Sequence, residues 1–342
     1  MPINYKKLIL FVCLFFSTAS LADSVIMKDG SVLMGEIVKK ENNSLMLKTT
    51  YAGTLKIKWD QVRSFESKEP VSILLKSERL VSTRYVNNTD KGISRIKENG
   101  ENWKSEFKTD NVSYINPDPW RLNKGYKVSG NIHFALESDH GNTVEQDIDI
   151  DGKLEFRSLT DRYTLTGILE NDTDDGKQSE DNWLFTGKYD RFTTKHRYYG
   201  AVLSFERDRF DDLDLRTILG AYAGRQYYET DDLNLRLETG LSQVHETNIK
   251  ADNDKYLSFN WFVDYDQYLF NKFTQFYHKH NGLWNLENTK RMTLASRTGF
   301  RFPLKSGFVA SAELEFDYDN DPKADIGKTD TTYRVKLGYQ FE

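Results

Sequence analysis

From Tyr126 to Phe341 one pattern recurs: an apolar side chain at every second position and a polar one between. Successive side chains of a strand point to opposite faces, so each run makes a strand with one apolar and one wet face. The last run is the most regular. Tyr333, Val335, Leu337, Tyr339 and Phe341 share one face, while Arg334, Lys336, Gly338 and Gln340 share the other.

Twelve such runs can be marked out. The first holds Tyr126, Val128, Gly130, Ile132, Phe134 and Leu136; the sixth Leu213, Leu215, Leu219, Ala221 and Ala223; the eighth Leu257, Phe259, Trp261, Val263 and Tyr265. The ninth, around Phe273 to Leu283, leaves its register open. An even number of strands of about ten residues is what a single-chain outer-membrane barrel requires. Long outer connections are expected at 137–143, 170–182, 206–212, 245–255, 279–290 and 319–331, with short turns between them. The six prolines fall outside the marked strands, as ladder pairing demands. A large soluble β-sandwich explains the strands but not this loop asymmetry. The last strand is expected to pair with the one starting at Tyr126, closing the sheet and leaving no free edge.

The other end of the chain supports the barrel. Lys6 and Lys7 precede an apolar run from Leu8 to Phe16 and small residues up to Ala22, which together make a secretory signal over 1–22. The apolar run is too short for a spanning helix, which needs about 20 residues. Cys13, the single cysteine, lies inside it, so the mature chain has no disulfide, thiolate metal site or cysteine nucleophile. Removing Lys6 and Lys7 from 47 basic residues leaves 45 against 52 acidic ones, a net charge of −7 that argues against a nucleic-acid partner.

Residues 23–117 read as a separate small β domain of the periplasm. An Asp29-Gly30 turn joins two strands, Ser44–Tyr51 and Thr54–Trp59 follow, and Asp60–Phe65 closes the unit. A degenerate second copy starts at Pro70, with Ser72–Leu75 matching the first strand and Asp110–Ile115 the closing piece. Residues 118–125 form a linker, and 126–342 the barrel.

Within the barrel, Trp183, Tyr199, Tyr256, Tyr265, Phe316, Tyr318 and Tyr339 stand near strand ends, where amphipathic rings favour the headgroup layer. The inward faces carry both signs of charge: Glu145, Asp147 and Asp149 on one strand, Arg216, Arg236 and Glu238 on others. Long charged side chains would largely fill so narrow a lumen and pair with one another, giving a constricted pore or none.

Several stretches resemble a known family: "DGSVLMGEIV", "TTYAGTLKIKW", "GNT" at 141–143, "FERDRFDDLDLR" at 205–216, "LNLRLETGLS" at 233–242 and the closing "YRVKLGYQF". The chain is similar to the salt-induced outer-membrane proteins, classed as domain of unknown function 481. The resemblance implies an N-terminal repeat followed by an outer-membrane barrel and a link to envelope or salt stress; it implies no chemistry.

Two stretches invite a chemical reading. His278-Lys-His280-Asn-Gly282 looks like the His-x-Ser-Asn-Gly stretch of outer-membrane lipid-deacylating enzymes, but His280 replaces the nucleophilic serine. These histidines are read as strand-end or lumen residues. The acid-rich segments 172–176, 208–214 and 317–325 lack the spacing of a calcium loop and are read as solvated, with Arg207 and Arg209 pairing the acids of the second. The expectation is therefore an all-β, non-enzymatic outer-membrane protein without cofactor. Its partners would be membrane lipids, the barrel-assembly machinery and, for the periplasmic domain, peptidoglycan or another protein. A small-solute channel is the alternative, and a lipid hydrolase a more distant one.

Overall fold

The structure is a computed structural model that describes residues 22–97, 103–140, 144–175, 177–230, 232–288, 291–322 and 327–341. The expected signal and the Gly141-Asn142-Thr143 stretch lie outside the described residues. The chain forms two compact units that divide between Pro117 and Asp118.

In the N-terminal unit the strands are β1 (Asp23–Met27), β2 (Val32–Glu41), β3 (Ser44–Thr49), β4 (Gly53–Lys58), β5 (Val62–Leu75), β6 (Leu80–Asn88), β7 (Ile93–Lys97), β8 (Trp103–Lys108) and β9 (Val112–Ile115). They form one antiparallel sheet in the order β4-β3-β2-β1-β5-β6-β7-β8, with β9 bridging β2 and β5. The internal repeat is visible in the backbone. Lys28 N donates to Gln61 O at 2.9 Å, and Lys76 N donates to Asn111 O at 2.8 Å in the second copy. Gly30 and Glu78 both take a left-handed conformation at the matching first turns. Strand β5 serves both copies: Phe65 pairs with Val25 of β1, while Ile73 pairs with Val81 of β6 and Ile115 of β9. Val25, Leu45, Leu47, Val62, Phe65, Ile73, Val86, Ile96 and Ile115 make the shared core.

Two prolines depart from the sequence expectation. Pro70 lies inside β5, where the register against β6 shifts between Glu66 and Val71. A bulge is where a strand tolerates a residue without an N–H. Pro303 is the last residue of a strand, opposite Val309.

The second unit comprises β10 (Lys127–His140), β11 (Val144–Arg157), β12 (Asp161–Asp174), β13 (Lys177–Phe192), β14 (Arg197–Asp208), β15 (Leu213–Glu229), β16 (Leu233–Asn248), β17 (Asp254–Leu269), β18 (Thr274–Asn285), β19 (Met292–Pro303), β20 (Phe308–Asp319) and β21 (Thr329–Phe341). They close in sequence order into a twelve-strand antiparallel barrel. The seam joins β10 to β21, with Gly130 opposite Phe341, Ile132 opposite Tyr339 and Phe134 opposite Leu337. Closure excludes the sandwich.

Five register pairs make the seam, against eleven between β20 and β21. The outward residues above it, Tyr333 and Val335, are accordingly 81% and 80% exposed.

The loops are shorter than the sequence suggests. The expected connection 170–182 contracts to 175–176 and 245–255 to 249–253, because polar residues continue the ladder; Asp172, for example, faces Asp147 and Glu180. The stretch 279–285 is strand, not loop. Marked asymmetry survives only in the last connections, 286–291 and 320–328, against turns such as 270–273 and 304–307.

Candidate functional site

Alternation sends every second side chain of each barrel strand inward, and most of those side chains are charged, hydroxylic or amide-bearing, with Val244, Val309 and Phe262 among the apolar exceptions. Three groups of contacts line the lumen.

At the end with the short turns, Arg162 of β12 is fully buried; its Nε donates to Asp190 Oδ2 at 2.6 Å and one terminal nitrogen to Gln226 Oε1 at 2.9 Å. Tyr222 donates its hydroxyl to the other Asp190 oxygen. Adjoining this group, 4.0 Å from Arg162, Glu238 accepts from Tyr198 Oη at 2.8 Å and from Lys188 Nζ, while Arg236 pairs with Asp264 at 2.8 Å. The Lys188 ammonium lies 4.4 Å from the centre of the Phe262 ring. At the end with the longer connections, the buried Glu246 is held by Arg216 Nε at 2.8 Å, Arg291 at 2.9 Å and Tyr256 Oη at 2.9 Å.

The closing strand supplies the widest connections. Arg334 reaches Asp149 of β11, Glu170 of β12 at 3.1 Å and Glu315 of β20 at 3.2 Å. Lys336 reaches Asp151 at 3.1 Å, Glu313 at 2.7 Å and Glu315 at 3.0 Å. His133 of β10 sits between, its Nδ1 at 3.0 Å from Asp151. Its imidazole occupies the space that a side chain at position 338 would need, which is why Gly338 stands in the seam. Buried charges in contact with opposite charges and hydrogen-bonding partners are the arrangement that a low-dielectric interior permits.

Of the lumen charges read from the sequence, Asp149, Arg216, Arg236 and Glu238 all enter these networks. Asp147 lies on β11 opposite Glu137 and Asp172. Glu145 belongs to the same strand, paired with Asp139 and Asp174, but its side chain lies outside the described residues. Tyr333, Val335, Leu337, Tyr339 and Phe341 face outward as the alternation implies. Sequence reasoning missed Arg162, Asp190, Lys188, Glu246, Arg291 and Glu315 as lumen groups. Parity relative to the apolar face of each strand carries that information for Arg162 beside Tyr163 and for Glu315 beside Phe316.

Three assignments are corrected. Tyr256 is no interfacial anchor: it is 4% exposed and points into the lumen, one residue out of phase with Leu257 and Phe259. Leu213 leaves the outward run and is buried, because a register shift between Leu213 and Leu215 reverses its side. His278 and His280 are neither at a strand end nor in the lumen; they lie on the outer wall of β18. In the acid-rich segment 208–214, Arg207 approaches Asp214 at 3.9 Å, but Arg209 pairs with Asp181 of β13 instead. Asp208 spends its Oδ1 on the N–H groups of Phe210 and Asp211. Among the described residues no three His, Cys, Asp or Glu side chains converge on a point suited to a metal ion.

A family model described as "Protein of unknown function, DUF481" matches residues 132–341. No curated protein matches the chain. Among solved structures, the NanC porin is 10% identical, with 62% of this chain and 100% of that one covered at a TM-score of 0.41. The KdgM porin is 11% identical over 63% of this chain and 100% of its own, at 0.35. The translocator domain of the autotransporter NalP from Neisseria meningitidis is 13% identical over 64% and 89%, at 0.37. At such identities the likeness is one of fold alone.

Proposed function

The chain belongs to the DUF481 family of unknown function, and from that starting point we propose that it is an outer-membrane barrel whose lumen is braced shut. In this reading it is a non-enzymatic anchor that holds its N-terminal β unit in the periplasm, rather than a channel. One observation carries it: Arg334 and Lys336 tie β21 to acids on β11, β12 and β20, inside the barrel. Each cation is ion-paired with three carboxylates, so moving it aside for a solute would break several buried contacts at once. The outward belt of Val128, Ile132, Phe134, Leu165, Phe185, Leu203 and Leu219 supports placement in a bilayer. An anchored unit needs something to hold, and Val32, Met34 and Val38 offer exposed apolar side chains on one face of β2 for a periplasmic protein or the cell wall.

Planar-bilayer recording of the purified full chain tests the reading. The expected result is no stable conductance above background. Steady, voltage-independent steps would overturn it in favour of a small-solute channel.

A further inference from the structure

The outer wall of β18 interrupts the apolar belt. Tyr277 is 2% exposed and donates its hydroxyl to Glu313 at 2.7 Å, which fixes the inward parity of the strand. Phe276, His278, His280, Gly282 and Trp284 therefore face out. Phe276 packs on Phe300 of β19 at 5.3 Å between ring centres, and Trp284 is exposed. Between these two aromatics stand two imidazoles. Across the ladder, His278 faces Thr298 and His280 faces Ser296, so four polar side chains gather on a surface that should be hydrocarbon-wet.

The cluster is half satisfied. His278 Nδ1 lies 2.7 Å from Thr298 Oγ1, and His278 Nε2 lies 2.9 Å from His280 Nδ1. That leaves His280 Nε2 and Ser296 Oγ without a hydrogen-bond partner among the described residues. Lipid tails offer neither donor nor acceptor, so polar groups at that position require a partner from elsewhere.

We propose that this wall, β17 to β19, is where a second copy of the chain docks within the membrane; the inference rests on the bilayer placement proposed above. Depth argues against a lipid headgroup. Thr298 is four residues above the outward Phe302 at the turn end of β19. At about 3.3 Å per residue and a tilt of roughly 40°, that is about 10 Å inside the apolar band, beyond the layer that holds phosphates. Another protein wall does reach it.

Self-complementarity selects a second copy. If His278 donates to Thr298, the chain of hydrogen bonds leaves His280 Nε2 as an acceptor, which the Ser296 hydroxyl of a partner can serve. If the chain runs the other way, His280 Nε2–H donates to that hydroxyl. Either way a two-fold axis satisfies both orphan groups twice, residue i against j and j against i. Beside the cluster, Trp261 lies across Gly282 in the space a side chain would take, so no β18 side chain projects there.

Single-thiol crosslinking in native outer membranes tests this. With Cys13, the single cysteine, replaced by Ser, Ser296→Cys should give a disulfide-linked dimer under copper-phenanthroline, and Leu203→Cys on a distant strand should not. Adding His280→Phe to Ser296→Cys should cut that dimer at least tenfold. In parallel, native mass spectrometry of the wild-type chain in mild detergent should show a dimer that His280→Phe converts to monomer, a readout needing no engineered thiol. Equal crosslinking at both positions, a wild-type monomer by mass, or a Ser296→Cys adduct with a different protein would overturn the proposal. Heat-modifiable gel migration, read on the same samples, separates the two readings: its loss in the wild type refutes bilayer placement and docking together, while its retention with no dimer refutes docking alone.

Discussion

Lys40 of β2 is 4% exposed, its ammonium donating to the carbonyls of Val112 and Ser113 and lying 5.8 Å from the centre of the Trp59 ring. Burial, aided by the charge of Lys76, lowers its pKa from 10.5 to about 8. Below pH 8 folded and unfolded chains both hold this proton, and the cost of burying the cation is fully present. Between about 8 and 10.5 the folded chain releases the proton while the unfolded chain keeps it, so the N-terminal unit gains stability as pH rises. Its urea midpoint, followed through Trp59 with the other tryptophans replaced by Phe, should climb from pH 8 to 10, and Lys40→Met should flatten the climb. A flat wild-type profile would refute this account. Arg334 makes the corresponding test in the barrel. Arg334→Met leaves Asp149, Glu170 and Glu315 crowded without their shared cation. The expected loss is about 3–5 kcal/mol of barrel stability in lipid vesicles, the range for breaking a buried ion pair from one side. A loss below about 1 kcal/mol would mean that lumen water already hydrates those acids.

Among the elements, β21 has the most to do, because four of its five seam pairs lie between Gly338 and Phe341. A chain truncated before Gly338 should be secreted yet fail to show heat-modifiable folding; normal membrane assembly of that chain would refute the closing role. The strands themselves were readable from the sequence wherever outward apolar residues kept strict alternation, as in β10, β20 and β21. Their ends were not, because the inward face is polar along its whole length and continues into the same residue types that build loops. Strand β18 shows a second limit. Its outward positions run Phe276, His278, His280, Gly282 and Trp284, so polarity gives no face to choose, and pairing with β17 on one side and with Arg301, Phe300 and Gly299 of β19 on the other sets the register. In the N-terminal unit the repeat was legible through Asp60-Gln-Val62 and Asp110-Asn-Val112, but the sharing of β5 was not. A proline inside a strand reads as a break until the bulge that accommodates it is seen.

For the molecule as a whole, the lumen charges were legible as a set and their partners were not. Alternation tells which residues point inward, but partner choice depends on barrel closure, which brings together side chains remote in the chain. Arg334 and Asp149 are 185 residues apart, as are Lys336 and Asp151. This separation bears on how the molecule is made. Asp149 and Asp151 of β11 receive their cations from β21, which reaches them only across the seam with β10. Until β21 docks, Asp149 and Glu170 lack the cation that Arg334 brings them, so burying these two acids in a half-closed barrel costs more than leaving them in water. Sheet closure and charge neutralisation are therefore one event: the strand that completes the hydrogen-bonded wall also carries the cations that settle the acids behind it.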